Sequence, residues 1–425
     1  MILGVIADDF TGATDVASML VRAGMHTVLV IGVPAAGLPK ADAVVIALKS
    51  RTVEPAEAVA HSLAALSALQ AAGARQIYFK YCSTFDSTAH GNIGPVTDAL
   101  MAALGSDFTI ACPAFPENGR TVFRGHLFVG DALLSDSGMR HHPLTPMNDA
   151  NLVRVLQAQT SQAVGLLRHD VLDRGPSAAL ESMSHLRAEG VKIAVADALS
   201  NDHLLTLAEA CAGLPLITAG SGVALGLPPA YSRRGWFTPH ANAAELQVLQ
   251  GPAAVVSGSC SEATQAQVAH WLAAGRTALR VDPRALHEGR QSPATVLEQA
   301  TSALAHGPVL IYATATNQSV QEVQQALGVH LAGHLVERAL ASIAKGLVQA
   351  GVRRLVVAGG ETSGAVAQAL GVQQLRIGAP ICPGVPWTQS VLPGSRDTVQ
   401  LALKSGNFGG LDFFAQALRQ AGVDL

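Results

Sequence analysis

The first part of the chain places an apolar strand, a polar loop and an amphipathic helix in immediate succession. An apolar run covers residues 2–6, and Val16, Met19 and Leu20 then recur at helical spacing as far as Gly24. An apolar run followed by a residue pattern of helical period is typical of the repeating units of α/β folds. The opening of the chain therefore predicts a strand, a loop and a helix.

The same alternation continues through the first half of the chain. Strands are predicted at residues 26–32, 41–48, 76–81, 108–112, 163–167, 192–196 and 215–218, and helices at 55–72, 94–104, 148–158, 176–189 and 201–212. Residues 121–129 read as a small hairpin that turns near Arg124 and Gly125. A mainly parallel sheet with helices on both faces accommodates such a pattern most economically.

The pattern lapses between residues 227 and 251, where prolines and polar residues interrupt it, and we expect a domain boundary there. Beyond this interval, strands are predicted at residues 252–256, 308–313, 354–358 and 398–404, and helices at 262–274, 336–350, from 365 and at 412–421. The prediction is two α/β domains, over 1–235 and 250–425, each a mainly parallel sheet flanked by helices.

Composition narrows the class of partner. The chain has 425 residues and a net charge of −3, and no run rich in Lys or Arg occurs, which argues against a nucleic acid or an anionic membrane as partner. Its five cysteines are scattered and form no CxxC pair, so neither a disulfide framework nor a zinc site is indicated. With no basic leader and no apolar run near about 18 residues, a cytoplasmic protein is expected. The expected partner is a small molecule, and the Ala-rich helices would suit a homodimer.

Polar residues follow the first strand at the point where it ends. The carboxyl ends of strands in an open α/β sheet border the crevice in which small ligands bind. Asp8, Asp9 and Thr11, and with them Asp15, are therefore placed to meet a polyhydroxylated substrate. The alternative is that Asp9 or Thr11 only caps the helix and that Asp15 favours its positive end.

Two further strand ends bring cations beside polar side chains. Arg51 follows one strand, and Lys80 precedes Thr84 and Asp86 at another. Arg51 could grip a carboxylate with two parallel hydrogen bonds, Lys80 could add a point charge, and the other two could contact hydroxyl groups. Taken singly, each residue could equally form a surface ion pair or a helix cap.

Three loops of small residues follow strands in the second half, at residues 257–261, 359–364 and 405–410. Gly and Ser leave backbone N–H groups open to an anion, and a following helix adds a favourable dipole, so such loops cradle phosphate. The chain contains no P-loop motif, and the glycines of residues 220–226 have the wrong spacing for a dinucleotide site. The loops therefore favour a nucleoside triphosphate that is bound by neither a P-loop nor a dinucleotide motif.

Several of these motifs together identify a family. The chain resembles the four-carbon acid sugar kinases over nearly its whole length, in the segments Ile6-Ala-Asp-Asp-Phe-Thr-Gly-Ala-Thr-Asp15, Lys80-Tyr-Cys-Ser-Thr-Phe-Asp-Ser-Thr88, Gly91-Asn-Ile-Gly94, Cys112-Pro-Ala-Phe-Pro-Glu-Asn-Gly-Arg120, Ser257-Gly-Ser259, Gly359-Gly-Glu-Thr362 and Lys404-Ser-Gly-Asn-Phe-Gly409. Within the family, two of these segments are most similar to the branch that acts on 3-oxotetronate. They are the Asp15 end of the first segment and the whole of the second.

The resemblance implies transfer of the γ-phosphoryl group of ATP to the C4 hydroxyl of a 3-oxo four-carbon sugar acid, with Mg²⁺ bridging phosphate oxygens and no protein residue assigned to the metal. Asp9 or Asp86 would accept the hydroxyl proton, and Lys80 and Arg51 would orient the substrate carboxylate or offset charge. The implied ATP contacts are Ser257, Gly258, Ser259, Gly359, Gly360, Glu361, Thr362 and Gly406. The resemblance also implies that residues 1–235 form a sugar-acid-binding domain and residues 250–425 a nucleotide-binding domain, with the active site in the interdomain cleft.

Other functions stay open on the sequence. A D-threonate, L-threonate or erythronate kinase would share the same plan. An ATP-independent sugar-acid aldolase or isomerase would use Lys80 or the carboxylates directly and would turn over without ATP. A non-catalytic sugar-acid sensor would bind without forming product.

Overall fold

The computed structural model describes residues 1–34, 37–142, 144–394 and 397–425. It divides the chain into two compact units, Met1–Ala244 and Glu245–Leu425. In the described part of the chain, no helix is both long enough and apolar enough to cross a bilayer.

The first unit alternates strands and helices as predicted. Its strands are β1 Leu3–Ala7, β2 Thr27–Ile31, β3 Ala43–Ala47, β4 Gln76–Lys80, β5 Thr109–Cys112, β6 Arg120–Phe123, β7 His126–Val129, β8 Ala132–Leu133, β9 Val164–Leu167, β10 Ile193–Ala196 and β11 Leu216–Ala219. Its helices are α1 Phe10–Arg22, α2 Pro55–Ala71, α3 Ile93–Leu104, α4 Leu152–Gln157, α5 His169–Leu172, α6 Pro176–Ala188, α7 Asn201–Cys211 and α8 Leu227–Arg233.

The main sheet of the first unit is parallel, with strand order β2-β3-β1-β4-β11-β5-β10-β9. Its central strands are buried throughout, as a parallel sheet covered on both faces requires. Strands β6, β7 and β8 form a separate antiparallel sheet. The predicted hairpin is confirmed, and Arg124 at its turn has a positive φ of 51°.

The second unit contains the strands β12 Ala253–Ser257, β13 Ala278–Arg280, β14 Val309–Tyr312, β15 Arg354–Ala358, β16 Gln374–Cys382, β17 Val385–Val391 and β18 Thr398–Lys404. Its helices are α9 Glu262–Ala273, α10 Pro283–His287, α11 Pro293–Ala303, α12 Asn317–Leu327, α13 Val329–Gln349, α14 Gly360–Ala369 and α15 Phe413–Gln420. The strand order is β13-β14-β12-β15-β18-β17-β16, parallel as far as β18 and antiparallel beyond it. The prediction of α/β architecture is thus confirmed.

The sequence analysis did not predict β13, α10, α11 or α12. Two further differences have a clear physical reason. Helix α8 lies where the pattern was expected to lapse, because its prolines fall in the first turn, where a missing N–H costs nothing. Strands β16 and β17 were not predicted, since Gly378, Pro380 and Pro383 interrupt their sequence. Pairing with each other and with β18 outweighs the weak strand signal.

Strand order determines which loops meet. In the first unit β1 lies between β3 and β4, so the loops after these three strands share one edge. The backbone ties them together: Ser50 N–H donates to the Asp8 carbonyl (2.9 Å), and Asp8 N–H donates to the Lys80 carbonyl (3.0 Å). In the second unit β15 lies between β12 and β18, and Gly359 N–H donates to the Lys404 carbonyl (2.9 Å). Both sets of predicted loops are therefore gathered, each within its own unit.

Two helical glycines of the second unit offer a matched test of this packing. A Cβ added at Gly364 in α14 would meet no heavy atom within 4 Å, whereas one added at Gly346 in α13 would lie 2.2 Å from Leu297 Cδ2. We expect Gly364→Ala to raise the thermal midpoint of this unit by about 2–4 °C, since Ala stabilises a helix over Gly by up to about 1 kcal/mol. Gly346→Ala should lose that gain because Leu297 must move. Differential scanning calorimetry measures both, and equal gains would contradict the packing.

Candidate active site

A single guanidinium gathers carboxylates from two loops of the first unit. Arg51 donates from Nε and Nη2 to the two oxygens of Asp8, both at 2.9 Å. Its Nη2 also donates to Asp9 Oδ1 at 2.6 Å, and its Nη1 lies 3.5 Å from Asp86 Oδ2. The structure thus brings these predicted residues together, as the shared sheet edge led us to expect.

Lys80 supplies a second cation at the same place. It ends β4, its side chain is only 4% exposed, and Nζ lies 3.8 Å from Asp9 Oδ1. A Cβ added at Gly12 would lie 1.9 Å from Nζ, so the ammonium can lie against the first turn of α1 only because residue 12 is glycine.

Asp9 caps the helix, one of the two alternatives that the sequence offered, and it also faces the two cations. Its carboxylate accepts from Gly12 N–H (3.1 and 3.2 Å) and so caps helix α1. The same carboxylate contacts both cations of the cluster. Its side chain is 27% exposed, against 7% for Asp8 and 9% for Asp86, so Asp9 is the carboxylate of the three that a ligand can reach most easily.

The environment separates the pKa values of neighbouring carboxyls. Burial acts to raise the pKa of Asp9, but the charges of Arg51 and Lys80 and the hydrogen bond from Gly12 outweigh it and lower that pKa. For Asp8, burial outweighs Arg51 and the pKa is raised. Asp9 is therefore the carboxylate that stays firmly ionised.

Asp15 and Thr11 take lesser parts in this arrangement. Burial raises the pKa of Asp15, and its Oδ1 has no hydrogen-bond partner among the described residues. Thr11 lies in the first turn of α1 and its carbonyl accepts from Thr14 Oγ1 (2.7 Å). The carboxylates thus surround Arg51 and Lys80 more closely than Thr11 does.

Strained backbone holds Asp86 toward the cluster. Phe85 and Asp86 have positive φ angles of 65° and 43°, which non-glycine residues adopt only when their surroundings impose it. Thr84 Oγ1 donates to Asp86 Oδ1 at 2.7 Å and fixes the carboxylate. Asn92, which no sequence argument assigned to the site, donates to the carbonyl oxygens of Ser50 (2.8 Å) and Arg51 (3.2 Å). Its place in the Gly91–Gly94 motif was the available signal.

The contacts within the cluster limit how Arg51 can bind a ligand. Its Nε and Nη2 are already committed to Asp8 and Asp9, and its Nη1 faces Asp86 Oδ2 at 3.5 Å, so no pair of donors is left for a bidentate contact with a ligand. The sequence had suggested a bidentate grip on a substrate carboxylate. The geometry instead suits a guanidinium that holds the carboxylates in place and lowers the pKa of Asp9.

The second unit holds a cavity of about 420 Å³, within the size range of small-molecule sites. Its lining includes Gly258, Ser259 and all of residues 359–362. The glycines are required, because a Cβ at Gly258 would lie 2.2 Å from Thr362 Oγ1, and Gly359 has a φ of 123°. Gly359 begins α14, whose first-turn N–H groups are free to face an anion.

Two of the predicted nucleotide contacts lie beside this cavity and not in its lining. Ser257 is buried, and its hydroxyl pairs with Thr314 Oγ1 at 2.7 Å. Gly406 packs against Ser259, whose Oγ would lie 2.5 Å from an added Cβ. Ser257 therefore supports the loop of residues 257–261 from the buried side.

The cavity has walls that the sequence analysis missed. Arg280 and Arg284 contribute charge, and Val320, Val323 and Val336 contribute apolar surface. These residues come from β13, α10, α12 and α13, and no motif marks them. The sequence carries no recognisable signal for these wall residues, because they lie within ordinary helix and strand patterns.

One cluster of potential metal ligands occurs in the first unit. His26, Asp42 and His240 offer ligand atoms within 4.8 Å of one another. The imidazole rings are stacked, with centroids 4.1 Å apart and planes 6° apart. A metal ion lies near the plane of each imidazole that binds it, so parallel rings cannot both direct a lone pair at one ion. Asp42 Oδ2 lies 3.1 Å from His240 Nε2 and accepts from His26 N–H at 3.0 Å, which accounts for the cluster as packing.

Known proteins resemble the chain in both units. The sequence model of a sugar-binding N-terminal domain matches residues 3–227, and that of a nucleotide-binding C-terminal domain matches residues 254–414. A Cupriavidus necator protein named 3-oxo-tetronate kinase is 61% identical over 99% of this chain and 97% of the relative. A Salmonella typhimurium protein of the same name is 47% identical over 98% of this chain and 99% of the relative.

Solved structures agree with these matches. The crystal structure of a Salmonella typhimurium protein has a TM-score of 0.88 at 46% identity and covers 98% of this chain and 99% of its own. A Haemophilus influenzae structure has a TM-score of 0.84 at 44% identity and covers 98% and 100%. The chain therefore belongs to the four-carbon acid sugar kinase family.

Proposed function

We propose that this protein is a kinase that transfers the γ-phosphoryl group of ATP to the C4 hydroxyl of 3-oxotetronate. The observation that carries the proposal is the pairing of an anion-binding cavity in one unit with a carboxylate–cation cluster in the other. Relatives that cover nearly the whole chain, and that are named 3-oxo-tetronate kinase, support the substrate. The cytoplasmic location and the homodimer expected from the sequence stay predictions.

The nucleotide is assigned to the second unit. The backbone N–H groups of Gly258, Ser259 and the first turn of α14 would hold the phosphates, because they combine free donors with the positive end of a helix dipole. The apolar wall around Val320 and Val336 suits the base, and Arg280 and Arg284 add positive charge.

The cavity also offers a carboxylate for the Mg²⁺ ion that accompanies ATP. Glu361 is exposed in the first turn of α14 and lines the cavity beside the predicted phosphate loops. Magnesium commonly binds through one or two carboxylates together with phosphate oxygens, so Glu361 fits that role. When bound, the ion would neutralise phosphate charge.

The sugar acid is assigned to the first unit. Asp9 would accept the proton of the C4 hydroxyl, because it is the accessible carboxylate and it is held ionised. Lys80 would offset charge on the sugar acid or on the transferred group, and Arg51 would hold Asp8, Asp9 and Asp86 in place. Catalysis would then consist mainly of positioning and charge compensation.

The proposal is tested by a coupled ADP-release assay with Mg-ATP and, in turn, 3-oxotetronate, D-threonate, L-threonate and D-erythronate. Release that is confined to the 3-oxo acid is expected. Release that is specific to a threonate or to erythronate would keep the kinase and refute the substrate. No release with any acid would refute the kinase.

Replacing Asp9 by Asn tests the assigned base. Asn caps a helix as well as Asp does, so the start of α1 is retained while the charge is lost. We expect Asp9→Asn to lower kcat by about 10²–10⁴-fold. The dissociation constant of Mg-ATP should change by less than about twofold, because the nucleotide is assigned to the other unit. Asp107→Asn, at an exposed ion pair with Arg187, is the matched control and should retain full activity. Unchanged kcat in Asp9→Asn would remove Asp9 from the chemistry.

Gly12→Ala tests the position of Lys80 without altering any charge. The added Cβ would collide with Lys80 Nζ and also with Asp9 Oδ1, so the contact between the ammonium and this carboxylate must be displaced. Misplacement by about 1 Å can cost up to about 100-fold in rate, and we expect kcat/KM for the sugar acid to fall by at least about tenfold. Gly138→Ala, where an added Cβ meets nothing within 4 Å, is the control. Steady-state kinetics of both variants provide the test, and thermal midpoints verify that they fold. A kcat/KM of Gly12→Ala equal to that of Gly138→Ala would contradict the role assigned to the contact between Lys80 and Asp9.

A further inference from the structure

The second unit contains a lysine that is buried without a counter-ion. Lys404 ends β18 and is 0% exposed, and in the described part of the chain no carboxylate lies within ion-pairing distance of its Nζ. Burial of an unpaired charge is expensive, so such a lysine calls for an explanation. Burial lowers the pKa of Lys404 to about 8.

Neutral oxygens surround the ammonium. Nζ donates to the carbonyl oxygens of Ser405 (3.1 Å) and Gly406 (2.8 Å) and to Thr264 Oγ1 (3.1 Å). Three donors thus meet three acceptors and the centroid of the Phe413 ring lies 5.7 Å from Nζ, but no anionic group among the described residues balances the charge. Thr264 Oγ1 also donates to the Gly406 carbonyl at 2.8 Å, which anchors the same peptide from a second side.

Two successive carbonyl groups that face one ammonium determine where the next N–H groups point. In a trans peptide the C=O and the following N–H point in opposite directions. Because the carbonyls of Ser405 and Gly406 face Nζ, the N–H groups of Gly406 and Asn407 are turned away from it. Among the described residues, neither N–H donates to a backbone or side-chain acceptor. Successive free N–H groups of this kind form anion-binding concavities.

This loop lies next to the predicted phosphate loop. A Cβ added at Gly406 would lie 2.5 Å from Ser259 Oγ and 2.9 Å from Ser261 Oγ, so the Gly406 backbone packs directly against these two side chains. Ser259 lines the cavity assigned to the nucleotide. The free N–H groups are therefore next to one wall of that cavity.

We propose that Lys404 is a positioning residue for phosphate binding: its ammonium draws two carbonyl groups inward, and the N–H groups of Gly406 and Asn407 are thereby presented to the phosphates of the nucleotide. This inference rests on the proposed kinase function and adds a residue that does not itself touch the ligand. The uncompensated charge also favours an anion at this position through space.

The test compares Lys404→Met with wild-type protein by isothermal titration with Mg-ATP and, separately, with adenosine, which lacks phosphates. We expect Lys404→Met to bind Mg-ATP at least about tenfold more weakly and adenosine with unchanged affinity, because the loop acts on phosphates alone. Lys345→Met, at an exposed position of α13, is the matched control and should bind both like wild type. Unchanged Mg-ATP affinity in Lys404→Met would overturn the inference. An equal loss of both affinities would also overturn it, since Lys404 would then support the whole unit.

A pH titration of the wild-type protein keeps the inference testable if Lys404→Met does not fold. The ammonium is charged below about pH 8 and loses its proton above it, so Mg-ATP affinity should fall between pH 7.5 and 9.5 while adenosine affinity stays constant. On the neighbouring elements, Thr264 of α9 and Phe413 of α15 do not titrate, and Cys382 of β16 has a pKa raised by burial to about 11, beyond this window.

A flat Mg-ATP profile would overturn the role of Lys404 while leaving the kinase intact. Failure of wild-type protein to bind Mg-ATP at any pH would refute the proposed function, and this inference with it.

Discussion

The contact between Arg51 and the carboxylates of Asp8, Asp9 and Asp86 is the interaction on which the candidate site depends. The ends of three strands contribute to this contact. Without Arg51, the neighbouring carboxylates would repel one another. Removing one partner of a buried ion pair typically costs about 3–5 kcal/mol, because the remaining charge is left uncompensated. The cluster therefore fixes the loops to one another and holds Asp9 beside Lys80.

The two units place different groups at their gathered loops. In the first unit, the carboxylates outnumber the two cations, which suits hydroxyl groups that donate hydrogen bonds. In the second unit, Lys404 is buried among neutral oxygens, and the cavity is lined by the loops of small residues, by Arg280 and Arg284 and by carboxylates that include Glu361, a mixture that suits a phosphate together with its metal ion. Glycine allows close approach in both, at Gly12 beside Lys80 and at Gly258 beside Thr362. A polyol-like acceptor and a phosphate donor are the ligands that fit these two fields.

Much of this arrangement was predictable from the sequence because it follows from strand order and from short motifs. The strand, loop and helix at the start of the chain placed Asp8 and Asp9 correctly, and the small-residue loops marked the cavity. The direction of Arg51 was not predictable, because which carboxylates occupy its donors depends on contacts between loops distant in sequence. Arg280 and Arg284 were missed for the same reason, and α8 was missed because prolines in a first turn resemble a linker.

The central claim is that the phosphoryl group moves to the terminal hydroxyl of the sugar acid, and its most direct test is the ³¹P NMR spectrum of the product formed from Mg-ATP and 3-oxotetronate. A phosphomonoester on C4 is bonded through oxygen to a CH₂ group, so the account predicts a triplet from coupling to two protons. A doublet would place the phosphate on the single-proton C2 and contradict the account. Inorganic phosphate without any ester signal would show hydrolysis of ATP and contradict it as well.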